Sequence, residues 1–234
     1  MQMIDKLTLF GLTRQEATIY ISLFQNGASN GYEVAKATGI SRSNVYNALA
    51  GLVEKGAAYL KEEASSKYIA VPIEEFYNNK LRAMTEAKEF LLKNLIPAKD
   101  ATAGYITIDG CVHIKDKMFN MLDQAEKRIY ISLPFQYLEE IRNKLENLID
   151  NRIKVVVITN EDFKMPGAEV YLADKKDKQI RFIIDSTYVL TGEFSESDYD
   201  TCLYSGQKNF VNVFKEALRN EIKLIELGRN SDEK

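Results

Sequence analysis

Residues 29–71 read SNGYEVAKATGISRSNVYNALAGLVEKGAAYLKEEASSKYIAV, and this stretch decides the fold of the first third of the chain. Asn30 and Glu33 have the spacing of a helix-capping pair, Gly39 tolerates the positive φ of a turn, and Ser41 can cap the next helix. Two short strands rich in Tyr, Leu, Ile and Val follow, with a polar tip between them. This order predicts a winged helix-turn-helix domain.

A third helix is expected upstream of this stretch. Thr13 and Glu16 form a capping box, in which each side chain satisfies a backbone donor at the start of a helix over residues 14–24. The last helix of the motif carries apolar residues at spacings of four and three, which place them on one face that packs against the first two helices. These residues are Val45, Leu49 and Leu52.

The opposite face of that last helix is polar and nearly uncharged, so it can meet base edges in a major groove. Lysines on both sides of the wing tip can each neutralise a phosphate. The candidate DNA-binding residues are Arg42, Ser43, Asn44, Tyr46 and Asn47 on the helix, with Lys61 and Lys67 on the wing. Two alternatives stay open: the helix positions are merely solvated, and the hairpin only packs against the helices.

Residues 73–96 contain neither Gly nor Pro and have apolar residues at alternating spacings of four and three. This pattern is typical of a helix that pairs with a second copy of itself. Lys88 interrupts the apolar row, so an intramolecular packing helix is the alternative. The candidate dimerisation residues are Tyr77, Leu81, Met84, Leu91 and Leu95. Pro97 is expected to end the helix, and residues 98–104 to form a linker.

Beyond Gly104 strands and helices alternate, which indicates an α/β domain with a largely buried sheet. We expect strands at YITI, RIYISL and IKVVVIT, with helices from about His113 to Lys127 and from about Phe135 to Asp150. A hairpin of QIRFIID and TYVLTGEF, a strand at TCLYS and a helix over residues 208–227 follow. The predicted organisation is a winged helix over 1–72, a dimerisation helix over 73–97, an α/β domain over 104–228 and a disordered tail over 229–234.

Composition limits the possible functions. The net charge of −3 and pI near 5.5 argue against DNA binding by bulk electrostatics, although residues 1–71 carry +1 and residues 101–234 carry −4. The sequence has no apolar run near 18 residues and no secretion leader, so a cytoplasmic location without membrane association is expected. Cys111, Cys202 and His113 lack metal-ligand spacing. We therefore expect two reduced cysteines, no metal and no cofactor.

The chain resembles the TrmB family of archaeal and bacterial transcriptional regulators. The resemblance rests on FGLTRQEATIYISLFQNG at residues 10–27, on VAKATGISRSNVYNALAGLVEKG at residues 34–56, and on the order of domains that follows. It implies a winged helix DNA-binding domain, a coiled-coil dimerisation helix, and an effector domain related in fold to phospholipase D. It also implies a small-molecule effector, such as a sugar, as a possible partner.

The phospholipase D relationship can be tested on the residues. That superfamily's active site requires His-x-Lys-x4-Asp on a hairpin that carries a glycine, and here Asp185 and Gly192 fit the acid and the glycine. Lys178 and Ile180 then stand where the nucleophilic His and the phosphate-binding Lys are required. A second H-x-K, at His113, opens a predicted helix and reads as a polar helix start. We therefore expect no catalytic residues and no enzymatic activity.

In α/β sheets, ligands bind at the carboxyl ends of strands. The candidate effector-binding residues at such ends are Phe135, Thr159, Asn160, Asp185 and Glu193, with Pro134 beside the first of them. The alternative is that these residues cap strands and helices and bind nothing.

Together these patterns predict a homodimeric, sequence-specific regulator that binds a double-stranded DNA operator and is modulated by an effector. Asn47 is the expected adenine reader. The alternatives are a winged helix that contacts protein, a constitutive regulator without an effector, and, least favoured, a phosphodiesterase of the phospholipase D type.

Overall fold

The computed structural model describes residues 2–62, 66–96, 104–173 and 178–232, with side chains described up to residue 228. The chain divides into two compact units, residues 1–97 and 98–234. The elements of the first unit are α1 (Gln2–Thr8), α2 (Arg14–Asn26), α3 (Gly31–Thr38), α4 (Arg42–Glu54), β1 (Ala58–Lys61), β2 (Lys67–Ala70) and α5 (Ile73–Asn94). This unit is a winged helix-turn-helix.

The caps that the sequence indicated are formed in the structure. Thr13 and Asn30 each accept a hydrogen bond from the backbone of a glutamate three residues later, and each glutamate carboxylate accepts one from the cap backbone in return. Gly39 ends α3 with a φ of 70°, in the left-handed region that favours glycine. The turn between α3 and α4 is therefore determined by local sequence. Helix α1 has no such signal and was not predicted.

The core of the first unit is built from one face of each helix. Helix α4 contributes Val45, Ala48, Leu49 and Leu52, all buried. Phe76, in the first turn of α5, is also buried, and the Tyr20 hydroxyl donates a 2.7 Å hydrogen bond to the carbonyl of Val71. The beginning of α5 thus belongs to the winged helix unit.

Over residues 104–173 and 178–232, the second unit contains one mixed sheet and three helices. Its elements are β3 (Tyr105–Asp109), α6 (Cys111–Gln124), β4 (Arg128–Ser132), α7 (Phe135–Asp150), β5 (Lys154–Thr159), β6 (Glu169–Leu172), β7 (Gln179–Ile184), β8 (Tyr188–Glu193), β9 (Thr201–Ser205) and α8 (Lys208–Asp232). The strand order is β3-β9-β8-β7-β4-β5-β6. Strands β4, β5 and β6 run parallel, whereas β4 pairs antiparallel with β7.

Both faces of this sheet are covered. Helices α6 and α7 pack on one face, in a cluster that includes Phe182, and α8 packs on the other, in a cluster that includes Ile183. Because successive residues of a strand point to opposite faces, β7 is buried on both sides. This explains why its sequence reads as a continuous apolar run.

Several boundaries differ from the sequence predictions. Helix α6 begins at Cys111, directly after Gly110, whose φ is 87°, so His113 lies inside its first turn. Strand β6 was not predicted, because its four residues are too few to show the alternation of apolar and polar side chains that indicates a strand. Helix α8 extends to Asp232, so residues 229–232, for which a disordered tail was expected, have helical backbone. Pro97, the linker over 98–103 and residues 233–234 lie outside the described residues.

Candidate nucleic-acid interface

Helix α4 presents an exposed polar face at its amino-terminal end. Ser41 caps the helix by accepting a 3.5 Å hydrogen bond from the backbone nitrogen of Asn44. The burial of Val45 and Leu49 fixes the rotation of the helix about its axis. The candidate residues that this rotation leaves exposed are Arg42, Ser43, Asn44, Tyr46 and Asn47. The structure thus places all five on one accessible surface.

Two aromatic contacts fix side chains on this surface. The guanidinium carbon of Arg42 lies 4.7 Å from the centre of the Tyr32 ring, a cation–π contact from α4 to α3. The Tyr46 ring lies against Gly31, where an added Cβ would come within 2.6 Å of two ring carbons. Sequence reasoning missed Tyr32 and Gly31, because neither contact follows from spacing within one helix.

The wing is a two-stranded antiparallel sheet in which Lys61 lies opposite Lys67. An isolated bridge between Ser29 and Tyr68 joins this hairpin to the loop before α3. The backbones of the two wing lysines are therefore cross-strand neighbours, in a hairpin that is hydrogen-bonded to the loop before α3. The tip residues Glu63, Ala64 and Ser65 lie outside the described residues.

A partly buried ion pair supports the start of α2. The Glu16 carboxylate accepts a 2.6 Å hydrogen bond from Lys55 Nζ, which also donates to the carbonyl of Gly11. Burial raises the pKa of Glu16, but the hydrogen bonds from Lys55 and Thr13 outweigh it, and the pKa lies below its ordinary value. The pair links the first turn of α2 to the end of α4.

Helix α5 carries an exposed apolar stripe beyond its first two turns. Four of the five candidate dimerisation residues have about half or more of their area exposed: Leu81, Met84, Leu91 and Leu95. The helix ends at Asn94, before the expected end at Pro97, so Leu95 follows it with an extended backbone. The fifth, Tyr77, is half-buried and packs within the winged helix unit, with its ring centre 4.0 Å from that of Phe10. The structure therefore separates Tyr77 from the four exposed members of the predicted row.

In the second unit, three candidate effector residues form a small hydrogen-bonded group. The Asn160 side-chain oxygen accepts a 2.8 Å hydrogen bond from the backbone nitrogen of Phe135, and the Thr159 hydroxyl lies 3.5 Å from the same oxygen. Thr159 is fully buried. This group joins the end of β5 to the start of α7, after Pro134, which favours the capping alternative for these residues.

Asp185 directly follows the carboxyl end of β7, as expected, but lies apart from this group. Its carboxylate accepts hydrogen bonds of 2.8–2.9 Å from the backbone nitrogens of Glu126, Lys127 and Arg128, at the amino end of β4. Because β7 runs antiparallel to β4, the carboxyl end of β7 lies beside the amino end of β4, at the opposite end of the strands from the carboxyl end of β4. Burial raises the pKa of Asp185, but the three backbone hydrogen bonds bring it below its ordinary value.

Glu193 lies at the opposite end of the sheet from Asp185, in a cavity of about 270 Å³. Ile180 and Gly192 also line this cavity, and Gly192 approaches β9 so closely that an added Cβ would lie 2.4 Å from the carbonyl oxygen of Thr201. Ile180 is buried and Lys178 is exposed. The two positions therefore supply neither an imidazole at 178 nor an ammonium at 180.

The remaining ionisable and thiol side chains that the sequence singled out show no arrangement typical of catalysis or metal binding in the described residues. Lys115 forms an ion pair with Glu140, which with its other neighbours raises the pKa of Lys115. Cys111 and Cys202 are free thiols, and burial raises the pKa of Cys202 to about 12. Across the described ranges, no group of His, Cys, Asp and Glu could hold a metal ion. No helix in those ranges is both long enough and apolar enough to span a bilayer.

A capped, exposed α4 beside a lysine-bearing wing, followed by a separate α/β unit, defines a winged helix regulator. The family description "Sugar-specific transcriptional regulator TrmB" matches residues 7–74, and "Transcriptional regulator TrmB, EBD N-terminal subdomain" matches residues 104–221. The second match alone covers half of the chain. The chain belongs to the TrmB family of transcriptional regulators.

Curated relatives match at lower identity. The uncharacterized protein YrhO of Bacillus subtilis is 28% identical over 198 residues, which cover 83% of this chain and 72% of YrhO. The HTH-type sugar sensing transcriptional regulator TrmBL1 of Pyrococcus furiosus is 25% identical over 171 residues, which cover 68% of this chain and 48% of that protein. The match therefore spans about half the length of TrmBL1.

Among solved structures, the archaeal chromatin protein TrmBL2 matches with a TM-score of 0.45 and 21% identity, covering 95% of this chain and 97% of TrmBL2. The phospholipase D family member Nuc of Salmonella typhimurium matches with a TM-score of 0.41 and 12% identity, covering 50% of this chain and 93% of Nuc.

Proposed function

We propose that this protein is a homodimeric, sequence-specific regulator that reads a double-stranded operator with α4 and responds to a small molecule bound by its second unit. The observation that supports DNA reading best is the exposed polar face of α4. The amide and hydroxyl side chains on this face can hydrogen-bond to base edges, and no carboxylate lies among residues 42–47 to repel the phosphates.

Base reading is assigned to Asn47, because an amide side chain can make paired hydrogen bonds to adenine in the major groove. Arg42 lies at the start of α4, where a phosphate would meet both its guanidinium and the free backbone donors of the helix. Lys61 and Lys67 are proposed to contact the DNA backbone from the wing. Residues 1–71 carry a net charge of only +1, which fits a protein that binds its operator through few phosphate contacts.

Dimerisation is assigned to the exposed stripe of α5. The helix leaves Leu81, Met84 and Leu91 exposed to water, and Leu95 directly after it is exposed as well. An exposed apolar row of this kind marks a surface that a partner covers. Pairing with the same stripe of a second copy would bury them and place two α4 helices on one DNA. Regulation then follows if an effector binds one dimer geometry more tightly than another.

A sugar as the effector is supported by the description of the family as sugar-specific regulators and by the sugar-sensing relative TrmBL1. The second candidate function is a winged helix that contacts protein, which the acidic net charge of −3 favours. A phosphodiesterase is disfavoured, because Lys178 and Ile180 cannot supply the nucleophile and the phosphate clamp.

A salt titration separates the two leading candidates. The protein is titrated onto duplex DNA at two salt concentrations, because phosphate contacts release counterions and make affinity fall steeply with salt. Sequence-selective, salt-sensitive binding supports operator reading. Binding that is absent on every duplex, together with capture of a protein partner by the α4 face, would favour the second function.

A further inference from the structure

A cationic groove lies in the second unit between α8 and the sheet. It encloses about 310 Å³, at the small end of the range for metabolite sites. One wall is α8, and the floor and second wall come from β4, β5 and β6 on the face opposite α6 and α7. None of the effector residues considered above lines this groove.

The α8 wall presents a row of cations. Lys215, Arg219 and Lys223 are spaced four residues apart, so they follow one another along one side of the helix above Leu218 and Ile222. Within the described ranges, none of these three cations forms an ion pair or a side-chain hydrogen bond. Their charge is therefore available to a ligand.

The facing wall is aromatic, and its own charges are already paired. Tyr130 and Tyr171 lie on the two strands that flank β5, with Val156 between them. Lys154 and Glu169 form a 2.7 Å ion pair across β5 and β6, and the Tyr171 hydroxyl donates a 3.2 Å hydrogen bond to Glu226. Four cations and two carboxylates line the groove, so it carries a net charge of +2 within a chain of net charge −3.

We propose that this groove binds a small phosphomonoester, with the dianionic phosphate on the α8 cations and the organic part against the two tyrosines. Arg219 offers a planar guanidinium that can bind two phosphate oxygens at once, and the lysines flank it. Glu169 and Glu226 line the same groove and would repel a duplex backbone, so the geometry favours a compact ligand over DNA. This inference names a ligand class for the effector part of the proposed function, on which its regulatory meaning rests.

Binding can be measured on the full chain without DNA. Two of the 13 tyrosines line the groove, so a change in tyrosine emission on titration is one readout, and calorimetry gives the affinity. The probes are glucose 6-phosphate, inorganic phosphate and glucose at matched ionic strength. We expect saturable binding of glucose 6-phosphate, weaker binding of inorganic phosphate and no binding of glucose.

The test variant is Lys215→Gln/Lys223→Gln, and the matched control is Lys164→Gln/Lys208→Gln, which removes the same charge elsewhere in the second unit. All four lysines are outside the buried core, and the thermal midpoint of each variant checks that it folds. The test variant should bind glucose 6-phosphate at least about tenfold more weakly, the control within about twofold of the parent chain.

Three results would overturn the proposal: no saturable binding by the parent chain, equal loss in both double variants, or equal affinities for inorganic phosphate and glucose 6-phosphate. A fourth result is that the parent chain binds no phosphomonoester and the test variant loses affinity for DNA. That result would assign the α8 cations to contacts with the DNA backbone. If the protein binds glucose 6-phosphate but no DNA, the groove proposal stands and the proposed regulatory function fails. The failure of one proposal can therefore be distinguished from the failure of the other.

Discussion

The carboxylate of Glu16 lies 2.6 Å from the ammonium of Lys55, 39 residues away along the chain. An added Cβ on Gly51, one turn before Lys55, would lie 2.3 Å from Glu16 Oε1. The first turn of α2 and the last turn of α4 are thus joined by one ion pair in a space that only glycine leaves open. This contact helps to hold α4 in the position that exposes its polar face.

Removing the Glu16 charge should destabilise the winged helix. Glu16→Gln should lower the free energy of unfolding by about 1–3 kcal/mol, because Lys55 loses its charged partner in a partly buried site. Glu33→Gln is the matched control, since Glu33 has the same capping position in α3 but is exposed. Urea unfolding of both variants measures the difference, and equal losses would show that the Lys55 contact contributes nothing beyond the cap.

The Glu16 pair also predicts a dependence of stability on pH. The pKa of Glu16 is lowered in the folded protein, so its contribution is fully present above the unfolded-state pKa and is lost as pH falls through the folded-state pKa. The stability difference between the parent chain and Glu16→Gln should therefore shrink in acid. A difference that stays constant from neutral pH into strong acid would contradict this assignment.

The contact between Tyr46 and Gly31 should be visible in a double-mutant cycle. Gly31→Ala places a methyl group about 2.6 Å from the Tyr46 ring, so the ring must move, and both stability and DNA affinity should fall. In a Tyr46→Ala background the same Gly31→Ala change should cost nothing in stability, because the space is then empty. The cycle is read from unfolding free energies; additive losses would mean that the two residues act independently.

The stripe on α5 should determine the oligomeric state. Met84→Glu/Leu91→Glu places carboxylates in the proposed dimer seam and should convert the protein to a 26.7 kDa monomer in sedimentation equilibrium. Asn79→Glu/Phe90→Glu adds the same charge on the opposite side of the helix and should leave the dimer intact. If both double variants dissociate, or neither does, the seam has been misplaced.

Asp185 should behave as a structural residue. Asp185→Ala removes an acceptor of three backbone hydrogen bonds and should destabilise the second unit by about 2–3 kcal/mol. Because the pKa of Asp185 is lowered in the folded state, this loss should diminish as pH falls through that pKa. Unchanged affinity of the folded variant for an effector would support this role, whereas loss of affinity without loss of stability would restore Asp185 to the binding site.

Local signals predicted the winged helix well, whereas the second unit needed information that no local pattern holds. Thr13 with Glu16 and Asn30 with Glu33 are capping pairs within four residues, so the helix starts could be read directly. Sequence alone does not show that β7 pairs antiparallel with β4, so it could not show that Asp185 lies at the other end of the sheet from Asn160. The groove was missed because it joins α8 to three strands far away in sequence.

The measurement that tests the central claim most directly is a selection of genomic fragments by the purified protein, followed by titration of the best site with the parent chain, Asn47→Ala and Lys67→Ala. We expect an enriched site with two related halves about one helical turn apart. Asn47→Ala should weaken binding to that site more than to unrelated DNA, and Lys67→Ala should weaken both about equally. No enriched site, or an equal loss for Asn47→Ala on every sequence, would contradict operator reading by α4.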